Sequence, residues 1–216
     1  MVRVDPQATQ GDVDRQYKKL SEFLARLTEK KKKYQSEKRF LSYLFYKVHR
    51  KLLKQYRPHA TFYQTLEKGS YDCVTGTATY ALLLDALAIP YQVHEFPYHV
   101  YLSVTTTKGD TFLIESTDPQ GGWVTDQDEQ TRRADFYNLQ SEEKSQKHFR
   151  YNFIINETIT LTQLVGLSYF NEAVESYNQR NLRRAIDLLR HADRLYASPR
   201  IDSFKTLIAS VAQDNS

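Results

Sequence analysis

Residues 71–96 read YDCVTGTATYALLLDALAIPYQVHEF, and residues 98–119 read YHVYLSVTTTKGDTFLIESTDP. Thr75, Gly76, Thr77 and Ala78 keep the first turns of a helix starting near Asp72 slim enough for neighbouring backbone to approach. The triplet Leu82, Leu83 and Leu84 makes its other end apolar, so the pattern predicts a helix buried nearly all round. Ala88, Ile89 and Pro90 then turn the chain into three strand-like stretches, Tyr91 to Phe96, Val100 to Val104 and Thr111 to Glu115. The last two are joined by residues 106–110, Thr-Thr-Lys-Gly-Asp, a hairpin connection. A buried helix followed by antiparallel strands places the chain in the α+β class.

Upstream, Tyr17, Leu20, Phe23, Leu24 and Leu27 form a narrow apolar stripe on a charged helix from Asp14 to about Glu29. The run Lys30 to Lys33 has no accompanying Gly-rich loop, zinc-finger spacing or RNA-binding aromatic motif, and reads as a solvated face rather than a nucleic-acid site. Ser36 can cap a second helix whose wider stripe runs from Phe40 to Tyr56 before Arg57-Pro58 ends it. Residues 59–70 form a connection with a short helical piece around Phe62 to Leu66. Downstream, Asp118 to Gly122 is a loop, and the polar residues 126–147 are expected to wrap the surface in short helical turns. Tyr151 to Ile155 reads as a further strand. Thr160 and Gln163 have the capping-box spacing, and a helix should run from there to Tyr177. A second helix carries Ala185, Leu188, Leu189, Ala192 and Leu195, and a third spans about Ile201 to Val211. This hairpin resembles a single tetratricopeptide repeat; with no neighbouring repeat to stack on, it reads as a packing appendage, with a peptide-binding groove or docked protein partner as the alternative.

The 216 residues can bury a sizeable core. They divide into a basic helical arm (1–60), a central core (61–156) and a C-terminal helical hairpin (157–216). Residues 1–60 hold 16 Lys and Arg against 6 Asp and Glu, leaving 14 against 20 in the remainder, so the basic character belongs to the arm. One cysteine excludes an internal disulfide and argues against a thiolate-rich zinc site. No apolar run reaches membrane-spanning length, and Met-Val-Arg-Val-Asp-Pro has no apolar h-region, which leaves a cytoplasmic protein or a processed exported one.

That lone cysteine, Cys73, opens the central helix, where amides and helix dipole favour a thiolate. His99 heads a strand, and Glu115 and Asp118 follow the next one. Nucleophile, base and carboxylate in this order is what nucleophilic catalysis requires. Taken singly, each has a plainer reading: a lone cysteine is commonly a small buried hydrophobe, and a strand-end histidine a satisfied polar group. His49 reads as a surface or packing residue, and His94, in mid-strand, as structural or pocket-lining. Tyr71 and Gln64 are weak candidates for donors to an oxyanion.

Together, Cys73, Ile89-Pro90, His99-Val-Tyr-Leu-Ser-Val and Ile114-Glu-Ser-Thr-Asp-Pro resemble the transglutaminase-like superfamily, whose fold is related to papain-like cysteine peptidases. The likeness covers about 50 residues of this chain. It departs at one place: the family usually has Asp-Pro-Thr directly after the apolar end of the strand, where this chain has Glu115, with Asp118-Pro119 three residues later. Pairing Val100, Leu102 and Val104 with Phe112 and Ile114 puts His99 and Glu115 together on the opposite face, which favours Glu115. Asp118 stays open because it alone keeps the Asp-Pro pair. The resemblance implies acyl transfer from an amide or peptide bond: to water in a cysteine peptidase or amidase, or to an amine in a transglutaminase. It requires no metal or organic cofactor. The substrate would be a protein or peptide. The competing class is a non-catalytic binding module on the same fold.

Overall fold

The computed structural model describes residues 8–148 and 155–214. The elements in chain order are α1 (Gln10–Lys31), α2 (Glu37–Lys51), β1 (Gln55–Tyr56), α3 (Phe62–Lys68), β2 (Ser70–Tyr71), α4 (Cys73–Ala86), β3 (Tyr91–Phe96), β4 (His99–Thr105), β5 (Thr111–Ile114), β6 (Trp123–Val124), α5 (Gln127–His148), β7 (Glu157–Ile159), α6 (Leu161–Asn178), α7 (Leu182–Leu195) and α8 (Pro199–Asp214). The fold is α+β, with one five-stranded antiparallel sheet in the order β6-β5-β4-β3-β7. Among the described residues no helix is long and apolar enough to cross a membrane.

The sheet register is the one the apolar alternation demands, with Leu102 opposite Ile114 and Val104 opposite Phe112. Those residues, with Val93 and Val100, join the main core against α4. The opposite face is covered as well: Phe96, Tyr101, Leu113 and Val124 form a second cluster under Tyr137 of α5. The polar stretch 126–147 is thus one helix rather than short turns. Its start is fixed by Asp126, whose carboxylate accepts from the N–H of Glu129 at 2.9 Å, and its surface by the Arg133 to Glu129 pair at 2.8 Å.

Apolar residues of all three sequence segments, among them Phe23, Phe40, Tyr80, Leu164 and Leu189, belong to one continuous cluster. α6 packs on α4, and the end of α7 comes close enough to α6 that a Cβ on Gly166 would lie 3.3 Å from the Ala192 carbonyl oxygen and 2.8 Å from Cβ of Tyr196, the residue after the helix. Glu95 ties α8 to the sheet. The alternation that buries Val93 also buries Glu95, completely, and its carboxylate meets Arg200 at 2.9 Å and accepts from the Tyr196 hydroxyl. Arg200 also donates to the carbonyl of Phe96 at 2.9 Å.

Several local expectations need correction. Tyr17 is 76% exposed, and Gln16 takes its place in the α1 interface by donating to Glu67 of α3. α2 stops at Lys51, because the N–H groups of Lys54 and Gln55 donate to the Gly69 carbonyl and draw residues 55–56 into a parallel bridge with β2. The Lys30 to Lys33 run is only partly a solvated face: Lys31 donates to the Leu87 carbonyl at 2.8 Å, and Lys30 lies over the rings of Tyr34 and Tyr43. The strand expected at 151–155 lies, but for Ile155, outside the described residues, and the fifth strand is β7.

His49 is buried, with Phe45, Tyr71 and Tyr80 packed around its ring. Burial pushes its pKa down to about 4. The folded protein therefore resists a proton that the unfolded chain takes up near pH 6.5, so stability from this group is full above that pH and lost as pH falls towards 4. His94, also lowered by burial, acts in the same direction. His49→Leu is expected to flatten the fall of the melting midpoint between these pH values, as followed by circular dichroism; an unchanged slope would place the acid sensitivity elsewhere.

Candidate active site

Asp72 fixes the start of α4. Its carboxylate accepts from the N–H of Thr75 at 2.8 Å, and the Thr75 hydroxyl accepts from the N–H of Asp72 at 3.0 Å, a reciprocal cap that makes Cys73 the first helical residue. One turn on, Gly76 allows the segment after β5 to press against the helix: a Cβ there would lie 2.7 Å from Oγ of Ser116 and 3.1 Å from the Tyr71 ring. Thr77 ties the helix to β4 by donating to the carbonyl of Val100 at 3.3 Å. The small residues of α4 thus bring the end of β5 and the head of β4 beside Cys73.

His99 is the first residue of β4, at the end of the sheet. Its Nε2 lies 2.5 Å from Oε2 of Glu115. The other carboxylate oxygen accepts from the N–H and the hydroxyl of Thr117, at 2.9 and 2.6 Å. Tyr137 donates to Oε2 at 2.7 Å and stacks on the His99 ring with centroids 4.3 Å apart. Burial pushes the Glu115 carboxyl up, but the bond and charge of His99, with Thr117 and Tyr137, outweigh it and hold the group below the usual range. An ionised Glu115 therefore fixes the imidazole by Nε2 and leaves Nδ1 for another partner.

Asp118 does not join this group. Its carboxylate accepts from the N–H of Gly121 at 2.8 Å and meets Arg133 at 3.2 Å. The turn that holds it there is closed by the Glu115 N–H to the Gly122 carbonyl and by the Gly122 N–H to the Asp118 carbonyl, each 2.8 Å. Gly122 is required, since a Cβ would sit 2.1 Å from the Glu115 oxygen.

Cys73 and His99 line one cavity of about 420 Å³, whose far wall is built by α6 and α8. Burial pushes the Cys73 thiol up, and Asp72 and Glu115 push the same way, against smaller opposing effects from the amides of Val100 and Val74. The expectation of a standing thiolate from the helix terminus is therefore corrected: desolvation and two carboxylates outweigh the amides, and the resting thiol is neutral. Nucleophilic use of Cys73 then needs a base that takes its proton during attack.

The remaining candidates fall away from the cavity. Gln64 completes the cap of α3 with Thr61. Tyr71 is buried beside His49 and Tyr56. His94 bonds Ser103 at 2.9 Å and stacks on Tyr101, a structural role. Two residues of the site had not been singled out. Tyr137 lay hidden because α5 has no apolar periodicity. His59 lines the cavity with φ 57°, a left-handed conformation uncommon for a side-chain-bearing residue, and its only sequence signal is the preceding Arg57-Pro58. Comparison of the chain with protein-family models, curated proteins and solved structures found no match.

Proposed function

We propose that this chain is a cysteine hydrolase of transglutaminase-like type that cleaves an amide or peptide bond with Cys73 as nucleophile, His99 as base and Glu115 as the carboxylate that holds His99. The observation that carries the reading is the 2.5 Å bond from Glu115 to His99, which lines the same cavity as Cys73. As the Cys73 sulfur adds to the carbonyl carbon, its proton passes to Nδ1 of His99, and the imidazolium is stabilised by the ionised Glu115. In this mechanism the N–H of Cys73, one of the helix-start amides without an intrahelical acceptor, steadies the oxyanion. Collapse breaks the carbon–nitrogen bond, the proton goes from His99 to the leaving amine, and a thioester remains. Water, deprotonated by His99, then cleaves the thioester and restores the thiol.

The raised thiol pKa and the apolar cavity favour a second reading, a peptide-binding module without turnover. A peptide mixture incubated with the protein and analysed by mass spectrometry separates the two. Cleavage that disappears in Cys73→Ala is expected; intact peptides in both samples would overturn the hydrolase. A fluorescent primary amine added to the same assay distinguishes hydrolysis from amine transfer by whether it becomes attached to the acyl product.

A further inference from the structure

The cavity beside Cys73 is not made by the central core alone. Leu167, Phe170 and Val174 of α6 and Phe204 and Leu207 of α8 line it together with residues 96–100, where β3 turns into β4. Its volume of about 420 Å³ falls within the range of sites that hold small molecules or side chains, roughly 300–1,000 Å³. On the wall built by α6 and α8, three polar side chains interrupt the apolar lining, Asn171, Ser203 and Arg200. One terminal nitrogen of the Arg200 guanidinium, Nη2, meets both Glu95 and the Phe96 carbonyl, while the buried Nε has no acceptor among the described residues. Buried donors are rarely left unmet, and a carbonyl on a bound molecule would meet this one.

We infer that the C-terminal hairpin is the specificity wall of the site, and that the cavity takes a peptide carrying a large apolar side chain, aromatic or branched, next to the bond presented to Cys73. This rests on the hydrolase reading for the word "bond" but not for the pocket itself. A peptide fits better than a hydrocarbon chain, because its carbonyls can satisfy Arg200 Nε, Asn171 and Ser203, which a hydrocarbon would leave buried and unpaired. An acidic side chain would lose its hydration among Phe170, Phe204 and Leu207, and the Arg200 cation there is already paired with Glu95.

The test uses N-acetylated tetrapeptide amides that differ at one residue, Phe, Leu, Ala or Asp, and a fatty N-acyl amide of similar apolar volume. Calorimetry on full-length Cys73→Ser measures binding, and turnover by the unaltered protein is measured beside it. Phe and Leu peptides are expected to bind about 10- to 100-fold more tightly than the Ala peptide, the gain from burying one large apolar side chain, with Asp weakest and the fatty amide below Phe. Equal binding across the panel, or a preference for Asp or for the fatty amide, overturns the inference. Val174→Trp, which fills the cavity, should abolish the preference, and Leu207→Ala, which enlarges it, should move the preference towards bulkier side chains. Melting curves check that both variants are folded, and retention of the original ranking by the two folded variants also overturns the inference. Selective binding without turnover of any peptide would leave the pocket standing and remove the hydrolase.

Discussion

Glu115→Gln is expected to lower kcat/KM by about 10²- to 10⁴-fold, because a neutral amide can hold the imidazole in the wrong tautomer and cannot stabilise its cation. Asp118→Asn should change it by less than about threefold, since its carboxylate serves a turn and Arg133 rather than His99. Tyr137→Phe should fall between them: it removes one donor to the Glu115 carboxylate but keeps the ring stacked on His99. Initial-rate measurements on a cleaved peptide rank the three. A ranking with Asp118 first would mean that the Asp-Pro pair marks the functional carboxylate and that the Glu115 bond is structural.

The second large effect concerns the hairpin. Deleting residues 161–216 should abolish cooperative folding rather than release an active core. It uncovers the face of α4 on which α6 packs, removes Leu164 and Leu167 from the main cluster, and strips Glu95 of both Arg200 and Tyr196. Each fully buried leucine contributes about 1.5–3 kcal/mol, against a total margin of about 5–15 kcal/mol. The finer version of the experiment is Arg200→Leu, which leaves Glu95 buried without its cation and should cost about 3–5 kcal/mol. Thermal and urea melts read both. A truncated chain that melts as sharply as the parent would show the hairpin to be an independent unit.

How much of this was legible in the sequence depended on whether a local pattern stood alone or relied on a distant partner. The capped, small-residue helix from Cys73 and the register of β4 against β5 were readable because side-chain size and alternation leave few alternatives there. The same alternation predicted that His99 and Glu115 share a face. It did not reveal that the face is buried, because the cover is Tyr137, a single aromatic that meets the sheet from a helix with no apolar stripe. Nor could it show that Glu115 is buried yet satisfied, since three of its donors come from Thr117 and Tyr137. The parallel bridge at Gln55–Tyr56 was hidden for a similar reason: it depends on Gly69, beyond the intervening α3. The helix-terminus argument for a thiolate failed in a different way. The sequence shows the amides, but the opposing burial and the nearness of Glu115 exist only once the chain is folded.

The central claim is that His99 takes the proton of Cys73, and alkylation of that single thiol by iodoacetamide across pH tests it most directly. With a neutral resting thiol and a histidine base, the rate at neutral pH should fall by about tenfold or more in His99→Ala, whose residual rate should climb only in alkali. A rate that is the same with and without His99, rising only at alkaline pH in both proteins, would contradict the account and leave Cys73 as a buried thiol in the wall of a binding pocket.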